Sequence, residues 1–459
     1  MKKNEIIESE ITGMTLQGAG IARCGGVPVF IPATCTGDRL RAVITKAKGN
    51  CAFGKIDEIL VGSPLRVSVD CPAFPRCGGC AFRHIRYADE LELKQRELTE
   101  TLRRIGGVQP AMQPIVGAQS PDRYRNKALL PLRREGGRVE AGFFARHSHR
   151  VIPCGDCLLA PQAFAGLVRV ICAWAEASAC SVYDEESGAG LLRQIYLRQS
   201  RGGAEILVTL VINGNSVPRA DHLIRALRHE NAAVKGILLN HNTAQGNTIL
   251  GPRCTLLWGA ERITETLCGL DFALSPLSFF QVNPAQAERL YAIAAQYALA
   301  GATGGALRLL DLYCGTGAIG LSVLQAAGGQ GELIGVECIP QAVEDAKRNA
   351  AANGVANTRF LCTDAAKAAA QLAAEGWQPD VILIDPPRKG CEPTLLHCIA
   401  KMAPRRLVYI SCDPATLARD LATLAKLGYK AREATPVDMF PRAGHVETVA
   451  LLEQWAFDA

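Results

Sequence analysis

The chain has 459 residues, 48% hydrophobic and 20% charged, with 44 glycines and 24 prolines. That balance excludes wholesale disorder and collagen-like or Pro-rich repeats, and the length suits about two to four domains. A net charge of +6 comes from 50 Lys and Arg against 44 Asp and Glu. No long apolar run suggests a membrane span, and Glu5 interrupts the start before any apolar stretch, so no secretory signal is expected. The reading is a cytoplasmic protein working as a monomer. In a reducing compartment its 18 cysteines serve as core residues, metal ligands or catalysts, not as disulfides.

Residues 1 to about 61 read as short strands broken by glycine turns: Glu10-Ile11-Thr12, Val27 to Ile31, Leu40 to Ile44 and Cys51 to Ile56. Four or five strands in so short a stretch predict a small closed barrel, which removes exposed edges. Gln17-Gly18-Ala19-Gly20-Ile21-Ala22 and Val29-Phe30-Ile31-Pro32 resemble a TRAM domain, an OB-like RNA-binding barrel, with Cys35-Thr36-Gly37-Asp38 in place of that family's Pro-Gly-Glu turn.

A cysteine cluster follows. A helix comes next, with Leu91, Leu98, Leu102 and Ile105 on one face and Gly106-Gly107 as its stop. From Arg76 to Arg150, 15 basic residues face 8 acidic ones, an electrostatic footprint for phosphates. The stretch to about 265 mixes strands such as Glu205 to Val211 with helices, an α+β region around the cysteines. Asn283-Pro284 then caps and opens a helix that ends near Gly301. Beyond it, strands at 307–312, 333–337, 358–362, 380–385 and 406–411 alternate with helical stretches. That pattern predicts a parallel doubly wound sheet with its function at the strand carboxyl ends. The expected units are 1–61, 62–265 and 266–459.

Gly315, Gly317 and Gly320 form a G-x-G-x-x-G after the first of these strands, which alone fits any nucleotide cofactor. Asp311 before it would repel a pyrophosphate but suits a cationic amine. Glu337, 26 residues after Asp311, sits where a carboxylate holds ribose hydroxyls. Asp385-Pro386-Pro387 ends the fourth strand. Acids at three strand ends resemble a class I, Rossmann-like S-adenosylmethionine methyltransferase.

Cys412 lies at the end of the fifth strand, facing the same crevice. A thiolate there suits covalent catalysis, needed when the methyl acceptor is a poor nucleophile such as carbon 5 of a pyrimidine. Ser411-Cys412-Asp413-Pro414-Ala415-Thr416-Leu417-Ala418-Arg419-Asp420, with Pro441-Arg442-Ala443-Gly444-His445-Val446-Glu447, resembles the RNA 5-methyluridine methyltransferase family. The resemblance implies Cys412 as nucleophile and Glu447 as the base for the carbon 5 proton. It also implies Gln281 and Tyr313 as cofactor contacts beside Gly315, Glu337 and Asp385. Ala443 departs from the family's Thr. Base N-methylation is an alternative suggested by Asp385-Pro386-Pro387, but Arg388 follows where that motif has an aromatic. Cytosine-5 methylation lacks its additional cysteine here. A non-catalytic RNA-binding protein is a third alternative, opposed by the intact Cys412 and Glu447.

Cys71, Cys77 and Cys80 form C-x5-C-x2-C, with Cys154 and Cys157 as candidates for a fourth thiolate. Spacing alone permits zinc or iron–sulfur. The resemblance implies a 4Fe-4S cluster on Cys71, Cys77, Cys80 and Cys157. Barrel and cluster together favour 23S ribosomal RNA as partner over transfer RNA.

Overall fold

The computed structural model describes residues 1–146, 148–246, 248–301 and 306–455; residues 456–459 of the expected third unit lie outside the described residues. Strands β1 (Ile6–Glu10), β2 (Gly13–Met14), β3 (Ala19–Cys24), β4 (Val27–Pro32), β5 (Arg39–Ala47) and β6 (Ala52–Val61) form one sheet in the order β1-β5-β6-β4-β3-β2. Alternate side chains turn inward, so Ile11, Ala22, Val29, Ile31, Leu40, Ala42 and Ile44 build a private core. The expected strand at Glu10–Thr12 starts earlier and ends at Glu10. Asp38 then takes the chain into a turn by accepting from Cys35 N and Ser63 N and pairing with Arg66.

Helix α1 (Tyr87–Thr101) runs into a wide-turned segment, Leu102–Gly106, and stops at Gly107 in the left-handed region. Leu98 and Leu102 are buried as expected, but Ile105 is 57% exposed, because the wider turn rotates it off the apolar face. Gly106 is required there, since a Cβ would stand 2.6 Å from the Ala418 carbonyl. After β7 (Ala111–Met112) come β8 (Lys127–Glu135), β9 (Arg138–Phe144), β10 (Val151–Pro153), α2 (Ala163–Ala177), β11 (Leu192–Gln199), β12 (Ile206–Ile212), α3 (Ala220–Glu230), β13 (Val234–His241) and β14 (Arg253–Gly259). These strands order as β10-β9-β8-β11-β12-β13-β14, with only β12–β13 parallel. Helices α2 and α3 cover the sheet with Leu167, Ile171, Leu223 and Leu227.

A hairpin of β15 (Ile263–Leu267) and β16 (Leu270–Leu274) leads to α4 (Pro284–Leu299), whose cap is Asn283 accepting from Gln286 N. The last layer alternates β17 (Leu307–Leu312), α5 (Ala318–Ala326), β18 (Gly331–Glu337), α6 (Pro340–Ala352), β19 (Thr358–Cys362), α7 (Ala365–Ala374), β20 (Val381–Ile384), α8 (Pro393–Met402), β21 (Arg406–Ser411), α9 (Pro414–Lys426), β22 (Tyr429–Val437) and β23 (Glu447–Gln454). All five expected strands are present. The order is β19-β18-β17-β20-β21-β23-β22-β7, a mixed sheet, because β23 runs antiparallel to both neighbours. Leu309, Leu333 and Leu383 face one core beside α4–α6; Leu310, Ile334 and Ile384 face another beside α7–α9 and the end of α1. The order in which strands are added reverses between the parallel neighbours β17 and β20, which opens the crevice at their carboxyl ends. Among the described residues no helix is long and apolar enough to cross a membrane.

Candidate active site

The cofactor-crevice acids crowd these strand ends. Asp311 is buried, and its Oδ2 accepts from Gly320 N at 2.9 Å. Gly320 must lack a side chain, because a Cβ would stand 2.7 Å from that oxygen. The second oxygen, Oδ1, has no partner, and burial pushes the carboxyl up to about 8. Glu337 closes β18 and accepts from Gly315 N (3.2 Å) and Ile339 N (2.9 Å), which aims it across the glycine turn. Tyr313 takes φ 68 just ahead of that turn, a strained setting for a non-glycine residue. Asp385, just past β20, is pushed up to about 7 by burial. Gln281 is held from the far side, its carbonyl accepting from Asn126 Nδ2 at 3.0 Å. Burial raises both Asp311 and Asp385, and a cation bound beside them favours their charged forms.

The sheet register brings the other two residues together. Ser411 pairs with Thr448, so one residue further along β21 stands beside one residue earlier on β23: Cys412 beside Glu447. Burial first, then Glu447 and Asp385, push the Cys412 thiol up to about 11, against a lowering by Arg388. Burial and then Asp385 push Glu447 up to about 8. Asp413 caps α9 by accepting from Ala415 N and Thr416 N, which seats Cys412 at the positive end of that helix. His445 faces Arg388, Nε2 to Nη2 3.3 Å, and burial lowers its pKa.

A cavity of about 540 Å³ opens over Cys412, with Leu16 and Gln17 of the barrel, Gly78 and Gly79 of the cysteine loop, and Arg146 in its walls. Sequence reasoning placed none of these near Cys412. The segment that carries the remaining wall, 438–446, is clamped from several directions. Lys94 Nζ, fully buried, donates to Glu90 Oε1 and Asp438 Oδ1, both at 2.7 Å, and to the Phe440 carbonyl. Tyr87 OH donates to Asp438, Arg442 N to Glu90, and Ala81 N and Phe82 N to the Arg442 carbonyl. Gly444 lies so close to the barrel that a Cβ would be 1.8 Å from the Leu16 carbonyl.

Cys71, Cys77, Cys80, Cys154 and Cys157 all line a neighbouring cavity of about 440 Å³, which Arg125 shares with the Cys412 cavity. Burial and neighbouring thiols push Cys80 up to about 12. The neighbouring Cys154 holds the Cys157 thiol below its ordinary value. Among the described residues no three His, Cys, Asp or Glu side chains converge on one point as a single metal ion requires.

The mixed sheet with its acidic recess is that of the class I methyltransferases. A family model described as tRNA (uracil-5-)-methyltransferase matches residues 270–455. An uncharacterized RNA methyltransferase of Halalkalibacterium halodurans is 40% identical over 455 residues, covering 99% of this chain and 98% of that protein. Another, of Clostridium tetani, is 38% identical over 98% of this chain and 97% of its own length. The crystal structure of Pyrococcus abyssi tRNA (uracil-54, C5)-methyltransferase in complex with S-adenosyl-L-homocysteine superposes with a TM-score of 0.77 at 23% identity, over 97% of this chain and all of that one. The chain belongs to the RNA 5-methyluridine methyltransferase family and is an RNA uracil-C5 methyltransferase.

Proposed function

We propose that the enzyme methylates carbon 5 of a uridine through a covalent adduct between Cys412 and carbon 6. The observation that carries this reading is the antiparallel register of β21 and β23, which sets Cys412 beside Glu447; Asp385 is close enough to raise both groups. Gln281, Tyr313, Gly315, Glu337 and Asp385 hold the methyl donor. A positive charge bound beside Asp385 offsets the acids and lowers the cost of a Cys412 thiolate. The thiolate adds to carbon 6, and the electrons of the ring double bond move toward carbon 5. Carbon 5 takes the methyl group from the donor's sulfonium as the sulfur–methyl bond breaks and its electron pair stays on sulfur, leaving a neutral thioether. Glu447, as carboxylate, then removes the carbon 5 proton, the double bond reforms, and Cys412 leaves as thiolate. The base acts last because that proton becomes acidic only in the adduct.

Cys71, Cys77, Cys80 and Cys157 are assigned to a 4Fe-4S cluster. A cubane binds each thiolate to a different iron, so its ligands would stand around a cavity, and thiols that share the lining of one cavity support this better than a zinc needing four sulfurs about 2.3 Å from one point. Cys154 lines the same cavity and remains the other candidate. The cluster supplies a rigid brace for the cysteine loop; the loop's own part is to carry Gly78 and Gly79 into the Cys412 cavity. Residues 1–61 act as a TRAM-type barrel that grips RNA, 62–265 as the cluster unit and 266–459 as the methyltransferase unit, in a cytoplasmic monomer. Helix α1 and β7 of the second unit are laid against the sheet of the third.

The RNA is 23S ribosomal RNA on the strength of the barrel and the cysteines. Transfer RNA is the second reading, favoured by the description of the matching family model and by the Pyrococcus abyssi neighbour. Incubation of unmodified ribosomal and transfer RNA with labelled S-adenosylmethionine, followed by nucleoside mass spectrometry, tests both. The expected product is 5-methyluridine in 23S ribosomal RNA; label on a base nitrogen contradicts the proposal.

A further inference from the structure

The cavity over Cys412 has a reactive floor and a basic rim, and the two come from opposite ends of the chain. Arg146 lies on that rim. Its Nη1 donates to the Gln17 carbonyl at 3.0 Å and its Nη2 reaches the Cys80 carbonyl at 3.4 Å, so the guanidinium is fixed between barrel and cysteine loop by neutral acceptors. Gly78 makes room for it: a Cβ there would stand 3.2 Å from Arg146 Cγ. Other arginines of the basic stretch spend their charge on carboxylates, Arg83 on Asp70 and Asp122, Arg123 on Asp156, and Arg133 on Glu140. Among the described residues Arg146 has no carboxylate partner, and its side chain remains exposed. Asp413, an acid in the cavity wall, caps α9 through its Oδ1. Arg125 adds a second guanidinium to the same cavity, likewise without a carboxylate.

We propose that Arg146 is the subsite for a backbone phosphate of the RNA next to the target uridine. The inference rests on the RNA reading of the Cys412 site and deepens it. A base delivered to Cys412 leaves its sugar and phosphates at the mouth of the cavity, and a guanidinium with unused N–H groups is the side chain best matched to a phosphate. Two neutral carbonyls orient it without cancelling its charge, so little ordering is left to do on binding.

The test is RNA binding by Arg146→Gln and Arg146→Lys as a function of salt, with thermal melting and S-adenosylmethionine affinity as controls for folding. In wild type, log K falls linearly with log salt. Arg146→Gln is expected to reduce that slope by about 0.7–0.9, one phosphate contact, and Arg146→Lys to keep it. A second measurement avoids any fold defect: a synthetic RNA carrying a neutral methylphosphonate beside the target uridine is expected to bind wild type about tenfold more weakly than the ordinary RNA, and to lose nothing further in Arg146→Gln. An unchanged slope in Arg146→Gln, or equal losses from the methylphosphonate in both proteins, overturns the subsite while leaving RNA methylation intact. Salt-independent binding by wild type itself overturns the RNA reading beneath it.

Discussion

The cofactor crevice draws its polar groups from one sheet: Asp311, Glu337 and Asp385 each stand at the end of a neighbouring strand. The cavity over Cys412, beside it, is walled by residues 16–17, 78–79, 146, 412–414 and 443–446, joined through a buried charge cluster and two glycine contacts. The first site comes with the Rossmann-like layer itself. The second exists only when the barrel, the cysteine loop and the catalytic segment are all docked, so it is the more fragile of the two. Damage to the junction should therefore remove chemistry while sparing the cofactor, and damage to the strand ends should do the reverse.

The largest effect is expected at the reactive group. Cys412→Ala should abolish methyl transfer while S-adenosylmethionine and RNA still bind. Glu447→Gln should stall after methyl transfer and accumulate a protein–RNA complex that survives denaturation. Loss of RNA binding in Cys412→Ala would assign Cys412 to the binding surface.

Next comes the junction. Lys94→Met leaves Asp438 buried without its cation and Glu90 with the more distant Arg442, which costs about 3–5 kcal/mol. Thermal melting should show the loss, and the fall in kcat should exceed any change in cofactor affinity. An unshifted melting temperature would mean that the cluster does not hold the catalytic segment.

On the other side of the comparison, Glu337→Ala gives up the carboxylate that accepts from Gly315 N in the glycine turn and that the proposal sets against the ribose. Calorimetry should find S-adenosylmethionine bound about 1.5–3 kcal/mol more weakly. Unchanged affinity would remove Glu337 from the crevice.

The smallest effect is on pH dependence. Asp311, Asp385 and Glu447 are raised to about 8, 7 and 8, so the unliganded fold favours their protonated forms. That contribution to stability is complete below the ordinary carboxylate pKa near 4 and is lost as pH rises through 7 to 8. Melting of the unliganded protein should fall between pH 6 and 9. Affinity for the cationic donor should rise over the same range, by at most about tenfold per pH unit for each proton released. A flat profile would mean that the acids ionise independently of the cofactor.

The same contrast governs what the sequence makes legible. The five strands, the acids at their ends and the Asn283 cap are written in short local patterns, and each is where the pattern puts it. Cys412 and Glu447 are legible through their motifs, although their closeness depends on the antiparallel register of β21 and β23. Gln17, Gly78 and Arg146 carry no local signal of a place beside Cys412, because a barrel Gln, a Gly between two cysteines and one Arg among 15 basic residues point to their own segments until the chain folds. Lys94 is similar: in a helix with Glu90 four residues before it, it reads as a solvated surface pair, and only Asp438, 344 residues away, shows that it is buried. Ile105 fails for a local reason, the widened turn after Thr101, which helical periodicity does not anticipate.

The most direct test of the account is trapping on RNA in which the target uridine is replaced by 5-fluorouridine. Fluorine cannot leave carbon 5 as a cation, so elimination of Cys412 is blocked. In the presence of S-adenosylmethionine the wild-type protein should form a denaturation-resistant complex with one RNA per chain, mass spectrometry should place the bond on Cys412, and Cys412→Ala should form none. Normal methylation of ordinary RNA with no crosslink to the fluorinated one would contradict the covalent mechanism.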